Sequence, residues 1–108
     1  MAKYMLIESR DPFESNDVAQ FCELAQALKT TGNEVTVYLV QNAVLPARSG
    51  ARADALAAML AKGVNVLADV FSLRERAIAE QDLVRGVSPS SIEVVIDAMA
   101  QGVRTIWH

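Results

Sequence analysis

Three junctions of one form constrain the fold of this chain more than any other feature of its sequence. In TTGNEVTV, AKGVNVLA and AQGVRTIW, a helical pattern ends at a glycine and a valine-bearing strand pattern begins within three residues. Glycine ends helices because it adopts a left-handed backbone conformation at little steric cost. Strands that alternate with helices through such short connections form right-handed βαβ units and a parallel sheet. The sequence therefore predicts a three-layer α/β/α fold with a mostly parallel sheet of about five strands.

Length and charge limit the number of domains and the kinds of partner. We expect one domain over residues 1–108, since a chain of 108 residues builds a single core. The formal net charge of −3 offers no basic face for phosphates, so nucleic acid is not an expected partner. No apolar run approaches the ~20 residues that cross a bilayer, and MAKYMLIES lacks a signal-peptide pattern. We therefore expect a cytoplasmic protein with no membrane partner.

Several segments have the apolar, β-branched character of buried strands. Their apolar residues occupy both faces, as expected where helices cover a parallel sheet on both sides. The segment LVRGV is either a short further strand or a connector. The strands are predicted at Tyr4–Ile7, 34–40, Val64–Val70 and Val103–Trp107.

Helical periodicity and capping residues predict four helices between these strands. Ser72 is expected to cap the third helix, with Glu75 completing a capping box. Ser88 is expected to begin the fourth helix, with Pro89 at its first helical position. The predicted helices cover 18–28, 53–62, 72–81 and 88–101, and the fourth is expected to bury a stripe of Ile92, Val95, Ile96 and Met99.

The carboxyl ends of the strands are the expected place for a ligand in an open parallel sheet. The first such loop, SRDPFESND, contains no glycine, so it does not predict the usual dinucleotide-binding turn. Polar residues nevertheless follow the first three strands and would line a cleft for a small anion or metabolite. The alternative is that these residues are helix caps and solvated surface charges. The candidate cleft residues are Arg10, Asp11, Asn42, Asp69, Ser72 and Arg76.

Asp69 is the candidate that most needs a structural explanation. A carboxylate in an apolar strand costs several kcal/mol if it is buried without a partner. We therefore expect Asp69 at the open end of its strand or paired with an arginine. Glu8, Asp11 and Asp69 together are similar to the magnesium-binding acidic cluster of response-regulator receiver domains. We do not favour that interpretation, because the lysine that those domains carry after their last strand is replaced here by Trp107 and His108.

Cysteine and histidine are scarce in this chain. A single cysteine, Cys22, excludes an intramolecular disulfide framework, and a single histidine, His108, does not support a zinc site. Neither a metal nor a cofactor is predicted. Cys22 lies on the apolar stripe of the first helix, where a small buried core residue is expected rather than an exposed nucleophile. Trp107 is expected in the core or in a subunit interface.

The segment DPFESNDVAQFCELAQALKTTGNEVTVYLVQNAV resembles the opening of DsrE/DsrF/DsrH-like proteins. GVNVLADVFSLRERAI is similar to the third strand of that family and its turn into a helix. The resemblance implies a small α/β domain that forms dimers, trimers or hexamers and that, in several branches, relays sulfur between partner proteins as a cysteine persulfide. In those branches the acceptor cysteine ends the third strand. The corresponding residues 67–71 contain no thiol, so that role is not carried over.

The leading hypothesis is a DsrE-like, oligomeric protein of intracellular sulfur metabolism that acts as a non-catalytic binding or structural subunit. One alternative is an enzyme that uses the Asp69 to Arg76 cleft, with Asp69 as a general base or a metal ligand and Arg76 or Arg10 holding an anionic substrate. Another alternative is a sulfur carrier that uses Cys22, which requires the first helix to expose that thiol.

Overall fold

The computed structural model describes residues 1–51 and 53–108. Its five strands form one sheet in the order β4-β3-β2-β1-β5, and every neighbouring pair is parallel. The predicted three-layer α/β fold is therefore confirmed, with a sheet that is entirely parallel. The strands are β1 (Lys3–Glu8), β2 (Glu34–Leu39), β3 (Asn65–Asp69), β4 (Val87–Ser90) and β5 (Arg104–Trp107).

Helices connect successive strands, as the sequence pattern predicts. Gly32, Gly63 and Gly102 follow three of the helices, and each has a positive φ. The glycine junctions therefore end the helices in the way that their chemistry requires. Two short 3₁₀ helices, Gln41–Ala47 and Glu80–Asp82, complete the connections. The α-helices are α1 (Asp17–Thr30), α2 (Asp54–Ala61), α3 (Val70–Glu75) and α4 (Glu93–Ala100).

The two faces of the sheet are covered unequally. Strands β1 to β4 follow one another across the sheet, so right-handed connections place α1 and α2 on the same face. The chain then returns from β4 to the opposite edge through α4, which lies on the other face. The α1/α2 face holds the main core, whereas the buried cluster on the α4 face consists of Met5, Tyr38 and Val95. The face covered by α4 is thus the thinner layer.

The segment around Pro89 is a strand and not the start of a helix. Residues Val87–Ser90 pair with β3, with Val87 opposite Val66, so the prediction of a helix from Ser88 is wrong. Strand β4 is an edge strand, where proline is tolerated because one row of backbone N–H groups is unpaired. The LVRGV segment contributes only its last residue to this strand.

The first turn of α3 also differs from the prediction. Asp69 is the N-cap of this helix, and its carboxylate accepts a hydrogen bond from the Ser72 backbone N–H. Ser72 lies in the first turn and is buried, so the predicted Ser72 and Glu75 capping box does not form. The helix ends at Glu75 because the chain turns sharply at Ala77, whose φ is +55°.

Helix α4 does not bury the stripe that its sequence predicts. Val95 is buried, but Ile92, Ile96 and Met99 are 48%, 58% and 60% exposed. Trp107 is 71% exposed, so of its two predicted places the core is wrong and a subunit interface stays a prediction. Among the described residues, none of the helices combines the length and the apolar character needed to cross a bilayer.

Candidate functional site

The Asp69 carboxylate is held by three hydrogen bonds at the carboxyl end of β3. The Tyr38 hydroxyl donates to Oδ1 at 2.6 Å, while the Ser72 backbone N–H and hydroxyl donate to Oδ2 at 2.9 and 2.7 Å. The Ser72 oxygen in turn accepts the Gln41 backbone N–H at 2.8 Å. Of the two arrangements expected for Asp69, the end of the strand is confirmed and the arginine partner is not found: two hydroxyls and a backbone amide satisfy this buried carboxylate.

Strand register explains why Tyr38 reaches Asp69. Tyr38 pairs with Leu67, two residues before Asp69, so all three side chains point to the α4 face of the sheet. Burial raises the pKa of the Tyr38 hydroxyl, and its hydrogen bond and proximity to the Asp69 carboxylate raise the pKa further. The hydroxyl therefore stays protonated and remains a donor to Asp69 at physiological pH.

Arg76 and Asn42 extend this network towards the surface. The Arg76 Nε and Nη2 atoms donate to Asn42 Oδ1 at 3.2 and 3.0 Å, and Nη1 donates to the Ser72 carbonyl at 3.2 Å. Each guanidinium nitrogen thus has an acceptor within the protein. Four of the six predicted cleft residues, Asn42, Asp69, Ser72 and Arg76, form one network that ties the 3₁₀ segment to α3. Catalysis by this cleft stays a prediction.

The other two predicted cleft residues belong to the loop after β1. The Arg10 guanidinium lies 3.3 Å from the Asp17 carboxylate in an exposed ion pair. Asp11 is buried and accepts the Phe13 backbone N–H at 2.9 Å, which shapes the turn. Arg10 and Asp11 therefore bond to the end of β1, their own loop and the start of α1, whereas the Asp69 network joins β2, β3, the 3₁₀ segment and α3.

The receiver-like acidic cluster is not formed. Glu8 aligns with Leu39, and Leu39 aligns with Ala68, so Glu8 points to the α1/α2 face. Asp69 follows Ala68 and points to the opposite face. Within residues 1–51 and 53–108, no group of three or more acidic, histidine or cysteine side chains could hold a metal ion.

A pocket of about 230 Å³ lies on the α1/α2 face, at the carboxyl ends of β1 and β2. Its wall is mostly apolar and is built by α1, α2, the two strands and the first 3₁₀ segment. Three charged residues, Glu8, Arg10 and Asp54, also line it. Strand β1 also borders the place where the strand order reverses, between β1 and β5, although no residue of β5 lines the pocket. Open parallel sheets bind ligands at such a point.

Glu8 is the buried charge of this pocket, with 1% of its surface exposed. Its Oε1 accepts the Arg10 backbone N–H at 2.9 Å, and its Oε2 lies 2.8 Å from the His108 Nδ1. The His108 ring stacks on Phe21 at a centroid distance of 4.9 Å. Glu8 and His108 are 100 residues apart in the sequence, and no local pattern pairs them, because only the pairing of β5 with β1 brings these residues together.

Cys22 also lines the pocket, although only 5% of its surface is exposed. Burial, with smaller contributions from the Glu8 and Glu23 carboxylates, raises the pKa of the Cys22 thiol to about 11. At neutral pH the thiol is therefore protonated and a weak nucleophile. This agrees with the core position that the helical stripe predicts.

A wholly parallel sheet in this strand order, with a pocket at the carboxyl ends of β1 and β2, defines a small three-layer α/β protein. The sequence model of the DsrE/DsrF-like family matches residues 2–108, and the chain belongs to that family. At the family level, this membership relates it to the small proteins of sulfur metabolism. None of the curated proteins compared with the chain matches it.

Solved structures of low sequence identity share the fold. YchN from E. coli is 18% identical with a TM-score of 0.89, and both chains are covered completely. MTH1491 from Methanobacterium thermoautotrophicum, described as a protein of unknown function, is 16% identical with a TM-score of 0.87 and the same complete coverage. BT1422 from Bacteroides thetaiotaomicron, also of unknown function, is 15% identical with a TM-score of 0.74, over 96% of this chain and 94% of that one.

Proposed function

We propose that residues 1–108 are a single DsrE-like domain that forms a homo-oligomer and acts in sulfur metabolism as a non-catalytic binding or structural subunit. The observation that carries this proposal is the end of β3, where the family resemblance leads us to expect a sulfur-accepting cysteine. Asp69 occupies that place, and three hydrogen bonds from Tyr38 and Ser72 engage its carboxylate. A carboxylate held in this way caps a helix, and it cannot accept sulfur as a persulfide because it has no thiol.

The state of the remaining thiol supports a non-catalytic role. Cys22 is buried, and the pKa of about 11 keeps it protonated at neutral pH. A sulfur-accepting cysteine needs a thiolate in an exposed, electropositive place, and Glu8 instead puts negative charge near Cys22. The proposed location is the cytoplasm, where an unpaired thiol stays reduced.

The second apolar face of α4 supports the homo-oligomer. At 100° per residue, the exposed Ile92, Ile96 and Met99 lie roughly 120° around the helix from the residues that contact the sheet. Trp107 pairs with Ile7, whose neighbour in β2 is Tyr38, so the indole also points to the α4 face. A helix that is apolar on two sides is typically buried on both. A second copy of the chain provides such a cover, because symmetric assemblies bring identical patches together.

A dilution series tests the oligomer. We expect sedimentation velocity to show a species larger than one chain at micromolar concentration, and Ile96→Glu to dissociate it. Leu24→Glu is the matched control, because Leu24 is 39% exposed on α1, on the other face of the sheet. A monomeric wild-type protein, or Leu24→Glu and Ile96→Glu proteins that dissociate equally, would contradict an interface on the α4 face.

Intact-mass analysis tests the non-catalytic role. The native protein is incubated with a polysulfide donor and measured with and without a reductant. We expect no reducible gain of sulfur, because the only thiol is protected by burial. Cys22→Ser is the control that identifies the modified atom if a gain occurs.

Sulfur carriage on Cys22 remains the second candidate function, because one observation favours it. Cys22 lines the pocket, so a small sulfur donor that enters the pocket would meet the thiol directly. A reducible gain of sulfur that is absent from Cys22→Ser would make carriage the leading function. Labelling of the thiol only after unfolding would exclude it under those conditions.

A further inference from the structure

We infer that the pocket at the carboxyl ends of β1 and β2 binds a small amine with an apolar body, whose ammonium group is held by Glu8. The inference concerns the α1/α2 face and does not depend on the oligomer formed by the α4 face. It combines three observations: the size of the pocket, its apolar wall and the buried carboxylate within it.

The volume and the wall set the body of the ligand. The pocket measures about 230 Å³, and an apolar cavity of ~150 Å³ is enough to bind benzene. One aromatic ring with a short aliphatic arm therefore fits. Apolar side chains such as Val18, Leu39 and Leu56 line the wall, and Phe13, which is 55% exposed, offers a ring face at the edge.

Glu8 determines which head group the ligand carries. A carboxylate accepts about four hydrogen bonds, and Glu8 receives the Arg10 backbone N–H at Oε1 and the His108 Nδ1, which lies 3.1 Å from Oε1 and 2.8 Å from Oε2. Acceptor capacity therefore remains on a side chain that is almost fully removed from water. An ammonium group would use this capacity with a charge-assisted hydrogen bond, which is stronger than a neutral one.

The other charges of the pocket favour a cation over an anion. Asp54 adds a second carboxylate to the wall. Arg10 is the single positive side chain among the lining residues described, and its guanidinium lies 3.3 Å from Asp17, which offsets its charge. A carboxylate or phosphate ligand would thus meet two negative groups, one of them buried.

Amide chemical-shift titrations of the full chain test this inference. The probes share one ring and differ in their head group: 2-phenylethylamine, 2-phenylethanol and 3-phenylpropionate. We expect saturable shifts at residues around the pocket, and an affinity for the amine at least ~10-fold above that for the alcohol. The carboxylate should bind most weakly.

Two pairs of variants locate the site. Ala55→Leu narrows the pocket and should abolish binding of all three probes, whereas Ala61→Leu, an exposed position on the same helix, should leave binding unchanged. Glu8→Gln should remove the preference for the amine over the alcohol. Asp54→Asn changes an exposed residue and should weaken amine binding less than Glu8→Gln does. It therefore still measures the effect of a pocket carboxylate on amine affinity if Glu8→Gln fails to fold.

Several results would overturn the inference. Absence of saturable shifts with every probe means that the pocket binds no such ligand. Binding that survives Ala55→Leu places the probes elsewhere on the protein. Affinity for 3-phenylpropionate equal to or above that for the amine, in the wild-type protein itself, contradicts recognition by Glu8.

Discussion

Substitution of Tyr38 by phenylalanine would measure how much the Asp69 network stabilises the fold. The change removes one oxygen and leaves the ring, so no cavity of consequence is created. It deletes the hydroxyl that donates to Asp69 Oδ1 at 2.6 Å and also lies 3.3 Å from the Ser90 carbonyl. The Asp69 carboxylate would stay buried with two donors, both from Ser72.

The expected loss follows from the geometry. A separation of 2.6 Å lies within the ~2.5–2.7 Å typical of an O–H group bonded to an ionised oxygen. Hydrogen bonds to charged groups contribute about 1.5–3 kcal/mol, and the buried carboxylate adds part of its desolvation cost when the donor is lost. We therefore expect Tyr38→Phe to lower the free energy of unfolding by about 2–3 kcal/mol.

Urea unfolding at one fixed protein concentration is the appropriate assay, because association would otherwise shift the midpoint. With a slope of about 1–3 kcal/mol per molar urea, the midpoint should fall by about 0.7–3 M. Tyr4→Phe is the matched control, since its hydroxyl accepts a hydrogen bond from Arg104 at 3.2 Å in an exposed contact. That control should change stability by less than about 0.5 kcal/mol.

A small effect would refute this reasoning. If Tyr38→Phe costs no more than Tyr4→Phe, the Asp69 network does not stabilise the end of β3. A double-mutant cycle with Asp69→Asn separates the pairwise contribution from the other effects of each change. A coupling energy near zero between Tyr38 and Asp69 would lead to the same conclusion.

Further predictions concern the thiol and one glycine. Alkylation of native Cys22 should be slow at pH 8 and should increase about tenfold per pH unit up to its pKa of about 11, whereas an exposed thiol reaches a plateau above pH ~9. Because that pKa is raised in the folded state, Cys22 stabilises the fold below pH 9, and this stabilisation is lost as the pH rises towards 11. Unfolding curves of Cys22→Ala should lack this part of the pH dependence. Gly86→Ala should destabilise the protein more than Gly32→Ala in the same assay: both have positive φ, but only the Gly86 methyl would meet a neighbour, Leu60 Cδ2 at 3.2 Å. Equal losses at the two glycines would show that backbone strain alone decides the effect.

Local sequence signals were sufficient to predict the fold class. The glycine junctions and the apolar strand segments are short-range features, and the structure forms a parallel sheet with helices at the expected places. Pro89 misled the prediction because the first helical position and an edge strand both leave a backbone N–H without a partner. Only the pairing of Val87 with Val66 decides between the two.

The site was harder to predict because its residues meet through non-local contacts. Helical periodicity placed Cys22 in the core correctly, since one turn of α1 fixes its direction. The pair of Glu8 and His108 depends on which strand lies beside β1, and no local pattern encodes that choice. The same limit applies to α4, whose sequence is apolar on two sides and does not reveal which side faces the sheet.

The position of β1 has a consequence for folding. Its register with β5 joins Tyr4 to Arg104, so this pairing closes a loop that includes nearly every other element. Contacts of such long sequence separation slow folding, because the chain loses entropy before the contacts form. During synthesis β1 has β2 on one side but leaves its other edge unpaired until β5 emerges. An unpaired edge in the middle of an apolar sheet is a site where nascent chains aggregate. A strand that is paired on both sides in the finished protein is therefore among the most vulnerable while the chain is being made.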